Sequence, residues 1–527
     1  MSLRRRLLPP AILVALPLLL YAPFLFGGKV LYWGVYLLQF YPWRQLAVEQ
    51  IRAGHWPLWN PYLGAGAPLA ANLQTAAFYP PNLLFLVMPV EYAFGWALAF
   101  HVALAGISAY WLARTLGLSR FGALIAGLAY GLGGYVVARW VFPSMVYAAA
   151  WLPLILALAQ RLISNTQSRI SNKVHSGYWI LDIALLALAI ALQLLAGHAQ
   201  TSFYTLLILA AFSLYRIFQL APRASNPLPS RTQRFAFYVL SLAPLALSTL
   251  WALALAAIQL LPTAELAAHS QRAGTLTDLQ FAYELSFWPW RLITLLAPDF
   301  FGHPARGGFW AYGTYWEEAA YVGILPLILA GLAIFAWWRK RGRVRAGALR
   351  LVPFLLALGL LSFLLALGDH TPLYPLLFRY LPGFGLFQAP ARLMIGYALV
   401  AALLSGIGAD ALPLPPRIRA ALRLSLIAGL GIALAGGAAR LALPAVRPTF
   451  GESVLRLGLS LALATGLLLL HNKHRHSRRL RGWRWQALVV ALVAADLLAF
   501  GWGLAPGTDP SVYRAPVDTA DFLQETL

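Results

Sequence analysis

Apolar runs dominate the chain and recur along its whole length, roughly at 8–26, 84–112, 121–137, 146–161, 179–196, 203–220, 236–261, 319–337, 351–367, 393–411, 421–440, 455–470 and 486–504. Most approach the roughly 20 residues that a helix needs to cross a bilayer. The pattern predicts an all-α membrane protein, a polytopic helical bundle of about 13 transmembrane helices. Three connections stand out by their length, at 27–83, 262–318 and 368–392. Within the first, 36–52 reads as an amphipathic helix lying in the interface plane, with Leu37, Phe40, Trp43, Leu46 and Ile51 among its apolar members. After it comes Trp56-Pro57-Leu58-Trp59-Asn60-Pro61-Tyr62-Leu63-Gly64-Ala65-Gly66-Ala67-Pro68, continuing through Asn72, Gln74 and Thr75 to Phe78-Tyr79-Pro80-Pro81-Asn82. Its prolines and glycines break any regular helix, and it has almost no charge to solvate it as an ordinary loop. Such a segment wants a pocket or a membrane surface.

Charge then orients the bundle. The net charge of +23 suggests a nucleic-acid partner only until its distribution is read, because the basic residues come in short clusters between apolar runs. With the N-terminus inside, the segments 4–6, 114–120, 161–173, 216–234, 339–350, 417–423 and 473–484 become cytoplasmic and hold about two thirds of the 40 basic residues. Nucleic acid is thereby excluded. The same assignment puts most of the 17 acidic residues outside, together with all three long loops. Charged residues make up 11% of the chain, against about a quarter in soluble domains. The N-terminal Arg4-Arg5-Arg6 and the run after it lack a small-residue cleavage pattern and read as an uncleaved first span. There is no cysteine, so disulfides and thiolate metal sites are excluded. Residues 1–505 form the transmembrane domain, and 506–527 a polar outer tail that reads as the start of an outer domain.

The outer loops carry the candidate chemistry. Gly197-His198-Ala199-Gln200-Thr201-Ser202 crowds hydrogen-bonding groups into one turn between two spans. The turn suits a sugar or phosphate, or else Thr201 or Ser202 caps the following helix. Carboxylates accept hydroxyl protons and aromatic faces stack on sugar rings, so Asp299, Glu317 and Glu318, set among Trp288, Tyr312 and Trp316, are catalytic candidates. The alternative for Glu317 and Glu318 is to favour a helix N-terminus through its dipole. Arg392, where a span begins, either snorkels to headgroups or grips a phosphate. Arg44 and Arg291 end two related pentads, Phe40-Tyr41-Pro42-Trp43-Arg44 and Phe287-Trp288-Pro289-Trp290-Arg291. They are expected at headgroup level or on a lipid phosphate. Asn60, Tyr62, Asn72, Gln74, Tyr79, His198 and Gln200 are the candidate sugar contacts. No metal ligand set is found. A divalent cation stays open as cofactor, since outer acids are plentiful although none forms an Asp-X-Asp pair.

Taken in order, several segments resemble the bacterial YfhO-type family, a branch of the GT-C glycosyltransferase-like group. They are Gln39-Phe40-Tyr41-Pro42-Trp43, Pro57-Leu58-Trp59-Asn60-Pro61-Tyr62-Leu63 with Gly66 and Pro68, Phe78-Tyr79-Pro80-Pro81-Asn82, Gly197-His198-Ala199-Gln200-Thr201, Tyr321-Val322-Gly323 and Pro390-Ala391-Arg392. The resemblance implies a GT-C-like fold in a bacterial cell membrane. It also implies transfer of a sugar from a polyprenyl-phosphate donor to an extracytoplasmic lipid, polymer or protein, with membrane lipids as surroundings. Such enzymes use an acid in the first outer loop, where this chain has Val35-Tyr36 after Gly34. The departure passes the acid's role to Glu49, Asp299, Glu317 or Glu318, or makes the chain a non-catalytic assembly factor. A transporter or flippase of lipid-linked sugar is the further alternative, which predicts ionisable groups along a midplane path and related halves.

Overall fold

In the computed structural model, residues 3–172, 179–220, 231–270, 278–340, 347–412, 418–442, 448–473 and 481–514 are described. The chain is an all-α multi-pass membrane protein. Ten helices among the described residues are long and apolar enough to cross a bilayer, and three shorter apolar ones fall on the remaining predicted runs, at Leu7–Leu20, Trp179–Leu195 and Ile324–Arg339. The helices Val90–Thr115, Arg120–Gly131, Pro143–Asn172 and Met394–Asp410 form the centre and pack on one another, whereas Ile418–Ala442 and Phe237–Ala268 are largely open to the surroundings.

Small residues let these helices approach closely, as expected where lipid supplies no hydrophobic drive between helices. In the hairpin of Ile418–Ala442 and Pro448–Lys473, a Cβ added at Gly436 or Gly458 would lie 2.2 Å from an amide nitrogen of the facing helix. At Gly408 it would lie 1.8 Å from the Leu329 carbonyl oxygen. Gly408→Ala is therefore expected to cost about 1–3 kcal/mol through overpacking, read as a lower melting temperature of the purified protein. An unchanged melting temperature would contradict that crossing.

Three predicted spans are interrupted or extended, each for a local reason. The run at 84–112 splits into Leu84–Val87 and Val90–Thr115, because Met88 before Pro89 takes an extended conformation. The run at 121–137 stops at Gly131 and resumes at Gly134, whose amide donates to the Tyr321 carbonyl at 2.6 Å. A side chain at Gly134 would meet the Tyr321 amide at 2.8 Å, so only glycine allows the backbones to touch. The run at 236–261 continues through Pro262 to Ala268. This extra turn holds the first long loop: Gln259 Nε2 donates to the Ala70 carbonyl at 2.7 Å, and Thr263 Oγ1 to Ala71 at 2.8 Å.

The first long loop is a compact assembly. A π-helical turn at Tyr36–Phe40 leads into the predicted helix at Tyr41–Arg52, which turns Arg44, Ala47 and Val48 into the protein. Trp59–Asn60 pairs antiparallel with Ala67–Pro68, and the Trp59 ring lies where any Gly66 side chain would be. The first residues of the C-terminal tail fold back on this loop: Gly507–Thr508 pairs with Val30–Leu31, and Arg514 forms an ion pair with buried Glu91. From residue 515 onward the tail lies outside the described residues.

Candidate functional site

Four of the predicted contacts, from three separate parts of the sequence, meet around one polar cavity of about 210 Å³. Its wall comprises Gln74 from the first loop, His198 and Gln200 from the turn between spans, and Phe387, Gln388 and Arg392 from the third loop. Each is positioned by its own local structure. Gln74 lies in a short 3-10 turn capped by Asn72, whose Oδ1 accepts from the Gln74 amide at 3.2 Å. Gly197 takes a left-handed φ of 97°, and a Cβ there would lie 2.8 Å from the Leu73 carbonyl oxygen, so the turn and the loop approach closely. His198, rather than Thr201 or Ser202, caps the following helix: its Nδ1 accepts from the Thr201 amide at 3.2 Å and lies 2.9 Å from the Thr201 hydroxyl.

Arg392 stands in the Pro390–Leu393 turn and is the charged member of the wall. Its Nε lies 3.0 Å from both carboxylate oxygens of Glu317, and its Nη1 donates to Gln200 Oε1 at 2.8 Å. The Arg392 side chain keeps 15% exposure and Glu317 only 1%, so the arginine stands between the acid and the cavity. Gln200 in turn donates to Tyr204 and to the Gln388 carbonyl. Burial works against the Glu317 charge, but the paired Arg392 and nearby Arg139 outweigh it and hold the carboxyl below its ordinary range.

Arg139 organises the far side, and sequence reasoning missed it. It is buried at the end of the broken helix and donates to the carbonyls of Tyr135, Ala319 and Glu317. Tyr135 OH donates to the Arg392 carbonyl at 3.0 Å, which joins the two arginines through the protein. An arginine placed directly between apolar residues at 135–142 was the available signal. Gln388 was also missed, since nothing local distinguishes it from a loop amide.

The other predicted residues lie elsewhere. Glu318 is paired with Arg291 at 2.5 Å, both 2% exposed. Burial pushes its carboxyl up to about 7, against the opposing pull of Arg291. Asp299 accepts from Tyr315 OH at 2.7 Å and Arg306 Nη1 at 2.9 Å, and burial raises it despite both partners. Asn60 Oδ1 accepts from the Tyr62 amide at 2.9 Å within its own turn, and Tyr62 is exposed. Tyr79 lies in the core, its hydroxyl 2.7 Å from His101 Nε2 and 2.9 Å from Trp151 Nε1. Arg44 and Arg291, expected at headgroup level, are both buried. Arg44 lies over the Phe85 ring and donates to the Ala76 carbonyl at 3.4 Å, while Arg291 faces Phe301 and Phe309. The pentads thus turn their arginines inward, where aromatic faces replace water. Asp496, the mid-span acid, accepts from Tyr321 OH at 2.8 Å and from the Ile324 amide at 3.0 Å, joining two helices. Among the described residues, no group of three His, Asp or Glu side chains is placed to hold a metal ion.

Fold and site together define a multi-pass helical membrane protein with a polar cavity enclosed by its long loops. No protein-family model matches the sequence, and no curated protein matches it. Among solved structures the chain is similar to ArnT from Cupriavidus metallidurans in the apo state, with a TM-score of 0.49 and 14% identity over 94% of this chain and 75% of that one. It is similar to the same protein bound to undecaprenyl phosphate, with a TM-score of 0.47 and 13% identity over 96% and 77%. It is also similar to the apo oligosaccharyltransferase of Archaeoglobus fulgidus, with a TM-score of 0.45 and 13% identity over 98% of this chain and 59% of that one.

Proposed function

We propose that this chain is an integral membrane glycosyltransferase of the YfhO and GT-C type, moving a sugar from a polyprenyl-phosphate donor to an extracytoplasmic acceptor. Its long loops face the outside of a bacterial cell membrane, with the N-terminus in the cytoplasm and the tail outside. The observation that carries this reading is the partly exposed Arg392 at the wall of a polar cavity, paired with an almost fully buried Glu317. A guanidinium so placed can hand its hydrogen bonds to a phosphate. An apolar groove of about 660 Å³, bounded by Trp56, Phe78, Ile258, Pro262 and Leu266, suits the donor's hydrocarbon. Ala70 and Ala71 border this groove and Gln74 the polar cavity, so one short stretch of loop separates tail from head.

The mechanism is an exchange of partners. When the donor phosphate takes Arg392, Glu317 loses its bidentate partner and keeps only the smaller pull of Arg139, and burial then raises its affinity for a proton. Glu317 accepts the proton of the acceptor hydroxyl. The acceptor oxygen forms a bond to the anomeric carbon while the bond from that carbon to the phosphate oxygen breaks, with inversion. The electron pair leaves on the polyprenyl phosphate, held by Arg392. Glu317 is suited to the role of the acid that Val35 replaces: Trp33, two residues before Val35, packs edge-on against Trp316, the direct neighbour of Glu317. Glu318 and Asp299 serve this centre indirectly, by holding the short Tyr315–Glu318 helix that carries Glu317: Glu318 pairs with Arg291 and Asp299 accepts from the Tyr315 hydroxyl.

Glu317→Gln is expected to lower sugar transfer by about 100-fold or more while polyprenyl phosphate still binds. The measurement is release of polyprenyl phosphate from a sugar-loaded donor by protein in vesicles. Undiminished release would remove Glu317 as the base. Binding of the donor by the unaltered protein without any release would support the non-catalytic alternative.

A further inference from the structure

Part of the first long loop is apolar and yet uncovered. Trp56 is 69% exposed and Tyr62 84%, with Leu58 and Leu63 exposed beside them. No Lys, Arg, Asp or Glu occurs between Arg52 and Glu91 to solvate the segment. An uncharged apolar patch of this kind asks for a partner. We infer that residues 56–63 lie in the headgroup layer of the leaflet beside the long loops, and that Leu58, Tyr62 and Leu63 contact membrane lipid directly. The inference concerns lipid of the bilayer and holds whether or not the chain transfers sugar.

The facing helix, Arg231–Ala268, fixes the depth. Its roughly 30 residues from 235 to 264 carry no charge. At 1.5 Å per residue they span about 45 Å, the thickness of a bilayer with its headgroups. The charged positions at either end, Arg234 and Glu265, therefore mark the two membrane surfaces. Two hydrogen bonds carry this level across to the loop. Gln259, which holds the Ala70 carbonyl at 2.7 Å, lies about 9 Å below Glu265 along the helix. Thr263, which holds the Ala71 carbonyl at 2.8 Å, lies about 3 Å below it. A headgroup layer is about 5–8 Å deep, so Ala70 and Ala71 sit within it or at its lower edge.

Short contacts tie the exposed residues to that level. The Leu69 amide donates to the Leu58 carbonyl at 2.8 Å, and Trp59–Asn60 pairs with Ala67–Pro68. Trp56 and Leu58 line the same apolar groove as Ile258, Pro262 and Leu266.

Continuity and composition favour lipid over water as the partner. On the facing helix Leu250, Ile258 and Leu261 are exposed along a span that is largely open to the surroundings, which makes this face a lipid surface. The loop residues extend that surface from the hydrocarbon into the headgroups. Trp and Tyr suit this layer, because their rings pack against apolar groups while their polar tips reach water. Further along the same stretch, Leu69, Ala76 and Tyr79 are buried in the protein. The stretch thus divides, its second half folded into the protein and its first half left to the lipid.

The chain has no cysteine, so single cysteines can be introduced and spin-labelled in an otherwise unaltered protein. Leu58→Cys, Tyr62→Cys and Leu63→Cys each replace an exposed side chain, and Leu250→Cys serves as the hydrocarbon reference. The full chain is reconstituted in phosphatidylcholine vesicles, and collisions of each label with oxygen and with a water-soluble nickel chelate are read by electron paramagnetic resonance. Oxygen is apolar and concentrates in lipid, whereas the chelate stays in water. At the three loop sites the ratio of oxygen to chelate collisions is expected to exceed that of the free label in water by about threefold or more, and to stay below that at Leu250→Cys. A ratio equal to that of the free label would place the segment in water and overturn the inference. Few collisions with either probe would show that protein covers the segment, from a second copy or another chain, and would overturn it equally.

Discussion

Arg392→Ala is expected to reduce sugar transfer by about 100- to 1,000-fold, the usual effect of removing one group that stabilises developing charge. The same change leaves Glu317 buried at 1% exposure without its bidentate partner. Breaking a buried pair in this way costs about 3–5 kcal/mol, so the melting temperature falls as well. The two effects separate in a double variant. Arg392→Ala with Glu317→Gln removes both charges, and is expected to recover most of the lost stability and none of the transfer. Arg392→Lys keeps the charge but not the planar fork, and is expected to lie between wild type and Arg392→Ala in donor affinity. Transfer that survives Arg392→Ala in a folded protein would show that the phosphate is held elsewhere.

The second large effect concerns pH. Burial raises the Glu318 carboxyl from its ordinary 4.5 to about 7 even though Arg291 opposes the shift. The folded protein therefore holds this proton more tightly than the unfolded chain. Its contribution to stability is complete below about pH 4.5 and is lost as the pH rises through about 7. A shift of this size corresponds to about 3 kcal/mol, as an order of magnitude. Glu318→Gln imitates the protonated form. Wild type and variant should melt at similar temperatures near pH 4.5, and the variant should melt higher at pH 8. Glu317 does not obscure the comparison, because its carboxyl is held low and contributes in the opposite sense, with stability lost only as pH falls. Parallel melting curves for the two proteins from pH 4.5 to 8 would mean that Arg291 holds Glu318 ionised throughout. The physical content is that the desolvation of this pair exceeds its mutual attraction.

The arrangement separates two kinds of acid on adjacent residues. Glu317 has a bidentate partner at a cavity, whereas Glu318 is buried with Arg291, whose guanidinium faces Phe301 and Phe309. Successive residues of one short helix, Tyr315–Glu318, project in different directions, so a two-residue motif serves two sites. Thr314 Oγ1 accepts from the Glu317 amide, so the backbone of this turn is capped by threonine, while the two carboxylates pair with Arg392 and Arg291.

Within the sequence, length and hydrophobicity alone determine the multi-pass helical class, because insertion depends on sums over about 20 neighbouring residues. The breaks at Met88 and Gly133 needed proline and glycine chemistry, and the first was readable from Pro89. The polar turn at His198 and Gln200 was also readable, since so many hydrogen-bonding groups between two apolar runs have no partner in lipid. Composition misled where burial reversed it. Tyr79, Arg44 and Arg291 are residue types common at a membrane surface, yet His101, Ala76 and Glu318 give them partners inside the protein.

Only the tertiary structure decided which of the long-loop groups belong to one site. Arg392 and Glu317 are 75 positions apart, and Arg392 and Gln200 are 192 apart. No local pattern distinguishes such a pair from Asp299 with Arg306, or Glu318 with Arg291. Helix propensity and hydropathy act over a few turns of chain, whereas an ion pair depends on where distant helices cross. Those crossings are set by close contacts such as Gly134 on Tyr321 and Gly408 on Leu329, where the absence of a side chain matters more than any residue's own chemistry.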